Sequence, residues 1–245
     1  MHTYRWNTSD FAKGYDAAAE TIHPQYLAIQ DVILGLLPDA LDHDGLVVDL
    51  GGGSGRLVER VLDARPLASA IVVDQSEPFL ALAERRLTRF GERATCILAR
   101  LQDPWESQLP TPAAAIVSMS AIHHLDPAEK ETLYRRCYKS LAPGGVLLNG
   151  DEVRAIDDDA YRVALWAWAG HMRHRMDSGA IPPTFHDALL GWIDRNVTRF
   201  GQPKKSGDDC HETIDAQLAY FRSAGFATAD CPWQRDLWAL LRGVK

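Results

Sequence analysis

The chain has 245 residues, of which 46% are hydrophobic and 24% charged, a balance typical of a globular domain large enough to bury a core. Its formal net charge of −7 argues against nucleic acid as the main partner, because proteins bind polyanions mainly through Lys and Arg. No apolar run is long enough to cross a membrane, and the first residues lack the apolar stretch of a signal peptide, so we expect a cytoplasmic protein.

The first predicted element is a helical segment over residues 8–37, with Tyr26, Ile29, Ile33 and Leu37 on one face. From about residue 46 to residue 152, short apolar runs then alternate with amphipathic helical segments. This alternation predicts parallel strands joined by crossover helices, in a doubly wound α/β fold. The five predicted strands cover residues 46–50, 70–74, 95–100, 113–118 and 145–151.

Capping residues mark the starts of three helices. Ser76 precedes a helix with Pro78 in its first turn, and Asp126 precedes Pro127 and a reciprocal Glu129. A third capping box, from residue 209 to residue 212, predicts a helix that runs to about residue 224.

The later part of the chain adds an insertion and two strands. Residues 153–210 form a long excursion, and apolar side chains recur in it at helical spacing, namely Tyr161, Leu165, Trp168, Met172 and Met176. This stripe packs against the core or faces a ligand. Strands near 228–233 and 237–242 form an antiparallel pair. The predicted organisation is an N-terminal helical lid (1–40), an α/β core (41–152), a helical substrate lid (153–210) and a final helix with strands (211–245).

The most informative motif follows the first strand, where Gly51, Gly53 and Gly55 alternate before a helix. Glycine permits positive φ and lets a ligand approach the backbone, although a structural tight turn would also explain the pattern. The spacing departs from the G-x-G-x-x-G of dinucleotide sites, which disfavours a nicotinamide dehydrogenase. Asp74 ends the second strand, where a carboxylate can accept hydrogen bonds from both hydroxyls of a ribose; a helix-capping aspartate is the alternative.

With these features, the chain resembles the class I S-adenosylmethionine-dependent methyltransferases over about residues 40–152. The resemblance includes the glycine loop, Asp74, the segment 141–147 and Ala224-Gly225-Phe226 near the C-terminus. It implies a Rossmann-like, mostly parallel seven-stranded sheet with helical lids, and S-adenosylmethionine as the cofactor. The cofactor-binding residues that it implies are Asp49, Gly51, Gly53, Gly55, Asp74, Gln75, Gln102, Asp103, Ser118 and Met119.

The flanking segments resemble the branch that contains the carboxy-S-adenosylmethionine synthases and small-molecule methyltransferases, through residues 11–16 and 24–26. The Lys-Arg-x-Ala-Leu-Glu segment of the carboxy-transfer enzymes has no counterpart. We therefore expect methyl transfer to an O, N or C atom of a small molecule by in-line SN2 displacement. A carboxy-S-adenosylmethionine synthase-like tRNA-modification enzyme and a non-catalytic cofactor-binding regulator are the alternatives.

The candidate catalytic residues are His123 and His124, which follow the fourth strand. Near the expected methyl position, one of them would act as general base or substrate anchor; alternatively, both support the start of the next helix. The candidate substrate-binding residues are Tyr15, Tyr26, Trp166 and Arg173, for which ordinary packing or a solvated face is the alternative. No metal is predicted, because the sequence places no third histidine or carboxylate close to this pair. The aromatic segment 161–192 could also hold a homodimer interface.

Overall fold

The computed structural model describes residues 7–245, and seven strands form its central sheet in the order β3-β2-β1-β4-β5-β7-β6. The sequence prediction that the chain has no signal peptide rests on its first residues, and residues 1–6 lie outside the described part of the chain. Strands β1 to β5 pair in parallel, whereas β7 pairs antiparallel with β5 and β6. The predicted mostly parallel seven-stranded α/β sheet is confirmed. The strands are β1 Leu46–Leu50, β2 Ser69–Asp74, β3 Ala94–Leu98, β4 Ala113–Met119, β5 Leu141–Glu152, β6 Thr228–Arg235 and β7 Trp238–Val244.

Helices cover both faces of this sheet. Val47 and Val48 point to opposite sides, and both are fully buried, one in the apolar cluster of each face. Because the chain reverses its winding between β1 and β4, a crevice opens at the carboxyl ends of these strands, where doubly wound sheets bind ligands. The helices are α1 Ser9–Ile22, α2 Tyr26–Gly35, α3 Arg56–Ala64, α4 Glu77–Leu87, α5 Pro127–Ser140, α6 Asp158–Asp177, α7 His186–Ile193 and α8 Ile214–Ala224.

Two of the three predicted capping signals are confirmed. Ser76 accepts a hydrogen bond from Phe79 N, and Asp126 and Glu129 form a reciprocal capping box. The predicted box at residues 209–212 is wrong, because α8 begins only at Ile214 after Thr213, whose side chain accepts from the Ala216 amide. The carboxylates of residues 209 and 212 are used for tertiary contacts instead.

The two segments outside the sheet are helical. The N-terminal segment breaks after Ile22, where Pro24 follows, into α1 and α2. In α6, the side chains of Tyr161, Leu165, Trp168 and Met172 are buried in the apolar cluster of one face of the sheet. Among residues 7–245, no helix has the length and apolar character needed to span a membrane.

Candidate active site

The loop between β1 and α3 requires glycine at several positions. Gly51 and Gly53 have φ of +68° and +54°, which L-residues with a side chain rarely adopt. A Cβ on Gly51 would collide with the Cβ of Ala121, and a Cβ on Gly52 would lie 2.6 Å from Oδ2 of Asp49. The loop therefore keeps its backbone open to the crevice at the carboxyl ends of β1 and β4.

A first cavity of about 300 Å³ lies against this loop. It brings together most of the predicted cofactor residues and both predicted lid tyrosines. These lining residues are Asp49, Gly51, Gly53, Asp74, Gln75, Gln102, Met119, Tyr15 and Tyr26.

Three predicted cofactor residues lie outside this cavity, and we correct their assignments. Gly55 caps α3, where a Cβ would press against Ala83 and Leu87 of α4. Ser118 is fully buried and donates to the carbonyl oxygen of Leu50 at 2.7 Å. Asp103 is half-buried and forms an ion pair of 2.8 Å with Arg100, and it does not line the first cavity.

The two carboxylates beside the loop differ in their partners. Asp74 accepts hydrogen bonds from the amides of Gly53 (3.0 Å) and Ser76 (2.8 Å). Burial raises its pKa to about 6, although the backbone donors oppose this shift. Asp49 is 1% exposed, and neither of its oxygens has a hydrogen-bond partner among the described residues. Burial and the neighbouring Asp74 raise the pKa of Asp49 to about 8. A buried carboxylate without a partner suits a ligand that carries a cationic group.

Helix α1 is attached to the glycine loop by charged contacts that sequence analysis missed. Asp16 accepts hydrogen bonds from Ser54 Oγ (2.5 Å), Arg56 Nε (2.9 Å) and Arg86 (3.0 Å). Burial alone would raise the pKa of Asp16, but the hydrogen bonds from Ser54 and Arg56 outweigh it and lower the pKa. These contacts place Tyr15, the preceding residue, over the first cavity.

A second cavity, of about 270 Å³, adjoins the first. Tyr15, Ser120 and His124 line both cavities and therefore mark their junction. Ser120 has φ of +51°, a strained conformation of the kind that clusters at functional sites, and its buried Oγ has no hydrogen-bond partner in the described part of the chain. The apolar lining comes from α1, α6 and the α7 region, through Phe11, Ile22, Trp168, Met172, Phe185, Leu189 and Trp192.

The two candidate histidines occupy different positions. His124 lies at the junction, whereas His123 is 7% exposed and lines only the second cavity. Nδ1 of His123 lies 2.6 Å from Asp151 Oδ1 and 2.6 Å from Glu152 Oε2. Burial alone would lower the pKa of His123, but the Glu152 and Asp151 carboxylates raise it well above its usual range.

The predicted substrate contacts of Trp166 and Arg173 are wrong. Both side chains are exposed on the outer face of α6, and neither lines either cavity. Trp168 and Met172 on the opposite face of this helix line the second cavity instead. The helical spacing identified the stripe but not which of its side chains line the second cavity.

The acidic and histidine residues around His123 were also missed by sequence analysis. Asp151 and Glu152 end β5 beside β4, so their position at the ligand-binding edge of the sheet was a usable signal. His211 gave none, because the loop that carries it is fixed by tertiary contacts. The Cys210 amide donates to the carbonyl oxygen of His123 at 2.8 Å.

The first cavity thus combines the glycine loop with the two buried carboxylates of Asp74 and Asp49 at the carboxyl ends of the strands, where doubly wound sheets bind nucleotide-type ligands. The family model described as a methyltransferase domain matches residues 47–145. An uncharacterized methyltransferase of Geobacillus thermodenitrificans is 30% identical over 235 residues, which cover 94% of this chain and 92% of that protein. The chain belongs to the S-adenosylmethionine-dependent methyltransferase family, and S-adenosylmethionine is its cofactor.

Other matches share only part of their length with this chain. The 2,7-dihydroxy-5-methyl-1-naphthoate 7-O-methyltransferase of Streptomyces carzinostaticus is 35% identical over 105 residues, which cover 42% of this chain and 30% of that protein. An O-methyltransferase family protein from Burkholderia thailandensis has a similar structure, with a TM-score of 0.63 at 18% identity, covering 96% of this chain and 59% of that one. The chain thus spans less than two thirds of either protein, and the second likeness shows the fold alone.

Proposed function

We propose that this protein transfers a methyl group from S-adenosylmethionine in the first cavity to an O, N or C atom of a small molecule in the second. The observation that carries the proposal is the junction of the two cavities at Tyr15, Ser120 and His124. The bound cofactor supplies an electrophilic methyl group, which an acceptor takes by in-line displacement when the protein aligns the two.

The second cavity favours a compact, partly aromatic acceptor. Its volume of about 270 Å³ is near the lower end of small-molecule pockets. Trp168, Trp192 and Phe185 offer ring faces and edges for an aromatic system. A naphthoate is the acceptor in the name of the Streptomyces relative, which is consistent with this class. The net charge of −7 disfavours RNA, as the tRNA-modification alternative would require.

The direct experiment incubates the protein with S-adenosylmethionine and a panel of aromatic alcohols, amines and carboxylic acids, and measures S-adenosylhomocysteine by mass spectrometry. Turnover with a panel member supports the proposal. Cofactor binding without turnover on any acceptor supports the non-catalytic regulator, and a carboxylated cofactor product supports the carboxy-transfer alternative. The proposed homodimer is a separate question, which the sedimentation velocity of the same preparation answers.

Filling the second cavity is expected to abolish acceptor turnover while cofactor affinity is retained. Ala188 lines the second cavity but not the first, so the indole of Ala188→Trp occupies acceptor space. The matched control is Leu190→Trp on the same helix, where Leu190 is 49% exposed and lines neither cavity. Initial rates and calorimetric S-adenosylhomocysteine binding check both variants. Equal turnover in Ala188→Trp and wild type would place the acceptor elsewhere.

We also propose that His124 contacts the acceptor at the junction of the cavities. His124→Ala is expected to lower kcat by roughly 10- to 100-fold, because a hydrogen bond to a charged or reacting group contributes about 1.5–3 kcal/mol. The KM for S-adenosylmethionine should change much less, since the glycine loop and Asp74 remain intact. Steady-state kinetics separate the two parameters, and His174→Ala, at an exposed position of α6, is the control. A kcat equal to that of His174→Ala would contradict the assignment.

A further inference from the structure

A cluster of potential metal ligands lies in the second cavity, next to the residues assigned to methyl transfer. His123 follows β4, Glu152 ends β5, and His211 lies in the loop before α8. All three line the cavity. One potential ligand atom from each of them lies within 4.8 Å of the other two. The fold therefore collects two imidazoles and a carboxylate from three separate segments.

Two of these side chains have buried polar atoms whose hydrogen-bonding capacity is not met within the described structure. Within residues 7–245, Nε2 of His211 has no hydrogen-bond partner, and the two carboxylate oxygens of Glu152 approach imidazole nitrogens without full hydrogen-bond geometry. Glu152 is 1% exposed, and its carboxylate oxygens lie near the Nδ1 atoms of His123 (2.6 Å) and His23 (3.3 Å). A buried polar atom without a partner has a desolvation cost that destabilises the fold. A cation between Glu152 and His211 would offset that cost.

Neighbouring groups orient the two imidazoles. Nδ1 of His211 lies 2.6 Å from the Tyr161 hydroxyl, which leaves Nε2 directed at the cluster. Nδ1 of His123 lies 2.6 Å from Asp151 Oδ1, and the amide of His123 donates to the other oxygen of Asp151 at 2.8 Å. Metal-binding histidines are commonly fixed by such contacts with carboxylates or other polar groups.

A second combination of His123 with His124 and Asp209 also has ligand atoms within 4.8 Å of one another. It is less suited to an ion, because Asp209 already accepts from Asn196 Nδ2 at 2.8 Å and lies 3.7 Å from Arg195 Nε. Nδ1 of His124 lies 3.3 Å from a backbone carbonyl oxygen. Glu152, in contrast, has no Lys or Arg partner among its ion pairs in the described part of the chain.

We propose that His123, Glu152 and His211 bind one divalent transition-metal ion. Two imidazole nitrogens and one carboxylate oxygen suit Zn²⁺, Co²⁺ or Fe²⁺. The ion would lie beside the second cavity, which all three residues line. The site goes beyond the proposed methyl transfer, because ion binding needs neither cofactor nor acceptor.

The test is titration of the chelator-treated full-length protein with Zn²⁺, and separately with Co²⁺, in the absence of S-adenosylmethionine. Calorimetry is expected to show one ion per chain, and Co²⁺ should produce visible absorption bands of a bound complex. His211→Ala and Glu152→Gln should each weaken binding by roughly 100-fold or more, since even second-layer substitutions around metal sites cost about 10- to 100-fold.

His174→Ala, which removes an exposed histidine of α6, is the matched control and should bind the ion as wild type does. Circular dichroism shows whether each variant is folded, and Glu152→Gln keeps the shape of the site if His211→Ala does not fold. Wild-type protein without stoichiometric binding would overturn the proposal. It would also be overturned if His124→Ala abolished binding while His211→Ala did not, because the second combination would then hold the ion. The titration measures ion binding alone, so its result does not depend on whether the protein transfers a methyl group.

Discussion

Asp74→Ala is expected to weaken S-adenosylmethionine binding by roughly 100-fold or more. The carboxylate of Asp74 is held at the edge of the first cavity by the amides of Gly53 and Ser76, with lone pairs left for two ribose hydroxyls. Each charged hydrogen bond contributes about 1.5–3 kcal/mol, and 1.4 kcal/mol corresponds to a tenfold change in affinity. Isothermal titration calorimetry with S-adenosylmethionine and S-adenosylhomocysteine measures this loss, and NAD should not bind to the wild type.

Two further variants separate ribose recognition from loop folding. Asp74→Asn keeps an oxygen that can accept from the loop amides but removes the charge, so its affinity should fall between those of wild type and Asp74→Ala. Asp63→Asn removes an aspartate of α3 that is 51% exposed in its side chain and paired with Arg89, and it should bind the cofactor as wild type does. Unchanged affinity in a folded Asp74→Ala protein would remove the ribose role from this residue.

The cofactor half of the site was predictable because its determinants are local in sequence. Gly51 and Gly53 must adopt positive φ directly after β1, and Asp74 must end β2, so strand position alone brings them to one edge. The alternation of apolar runs with helical segments likewise predicted the sheet. The prediction that Asp103 binds the cofactor was wrong for a reason that is also local. Arg100, three residues earlier, forms an ion pair with Asp103, which does not line the cavity.

The acceptor half was only partly predictable, because tertiary contacts assemble it. His123 and His124 follow a strand and could be placed, but His211 reaches them from a loop that resembles a capping box in sequence. On α6, periodicity identified one buried face, yet Trp166 was assigned to the cavity by its chemistry and lies 53% exposed. Which side chains of a lid helix face a cavity depends on the elements against which the helix packs. Those elements are distant in sequence, so the residues of the helix alone do not identify them.

Binding of S-adenosylmethionine is expected to release protons and to strengthen by about 25-fold between pH 6.5 and pH 8.5 through Asp49. Burial and Asp74 raise the pKa of Asp49 to about 8, so at pH 7 roughly ten molecules are protonated here for each one that is ionised. A cationic group of the cofactor beside Asp49 favours the carboxylate and lowers this pKa. Because the complex then holds fewer protons than the two separate molecules, its affinity must rise with pH until Asp49 is ionised in the unbound protein.

Asp49→Asn supplies the control, since it removes this titration and leaves that of the cofactor itself. Its affinity should be lower than that of wild type at pH 8.5 and lack the contribution of Asp49 to the pH dependence. Calorimetry in buffers of different ionisation enthalpy counts the protons released.

The stability of the unliganded wild type should change with pH in the direction opposite to its cofactor affinity. The raised pKa of Asp49 in the folded state contributes stability at low pH that is lost as pH rises through about 8. Asp49→Asn should therefore gain melting temperature relative to wild type as pH rises from 6 to 8.5. If both proteins show the same pH dependence of binding and of melting, Asp49 neither has the raised pKa nor gives up a proton when the cofactor binds.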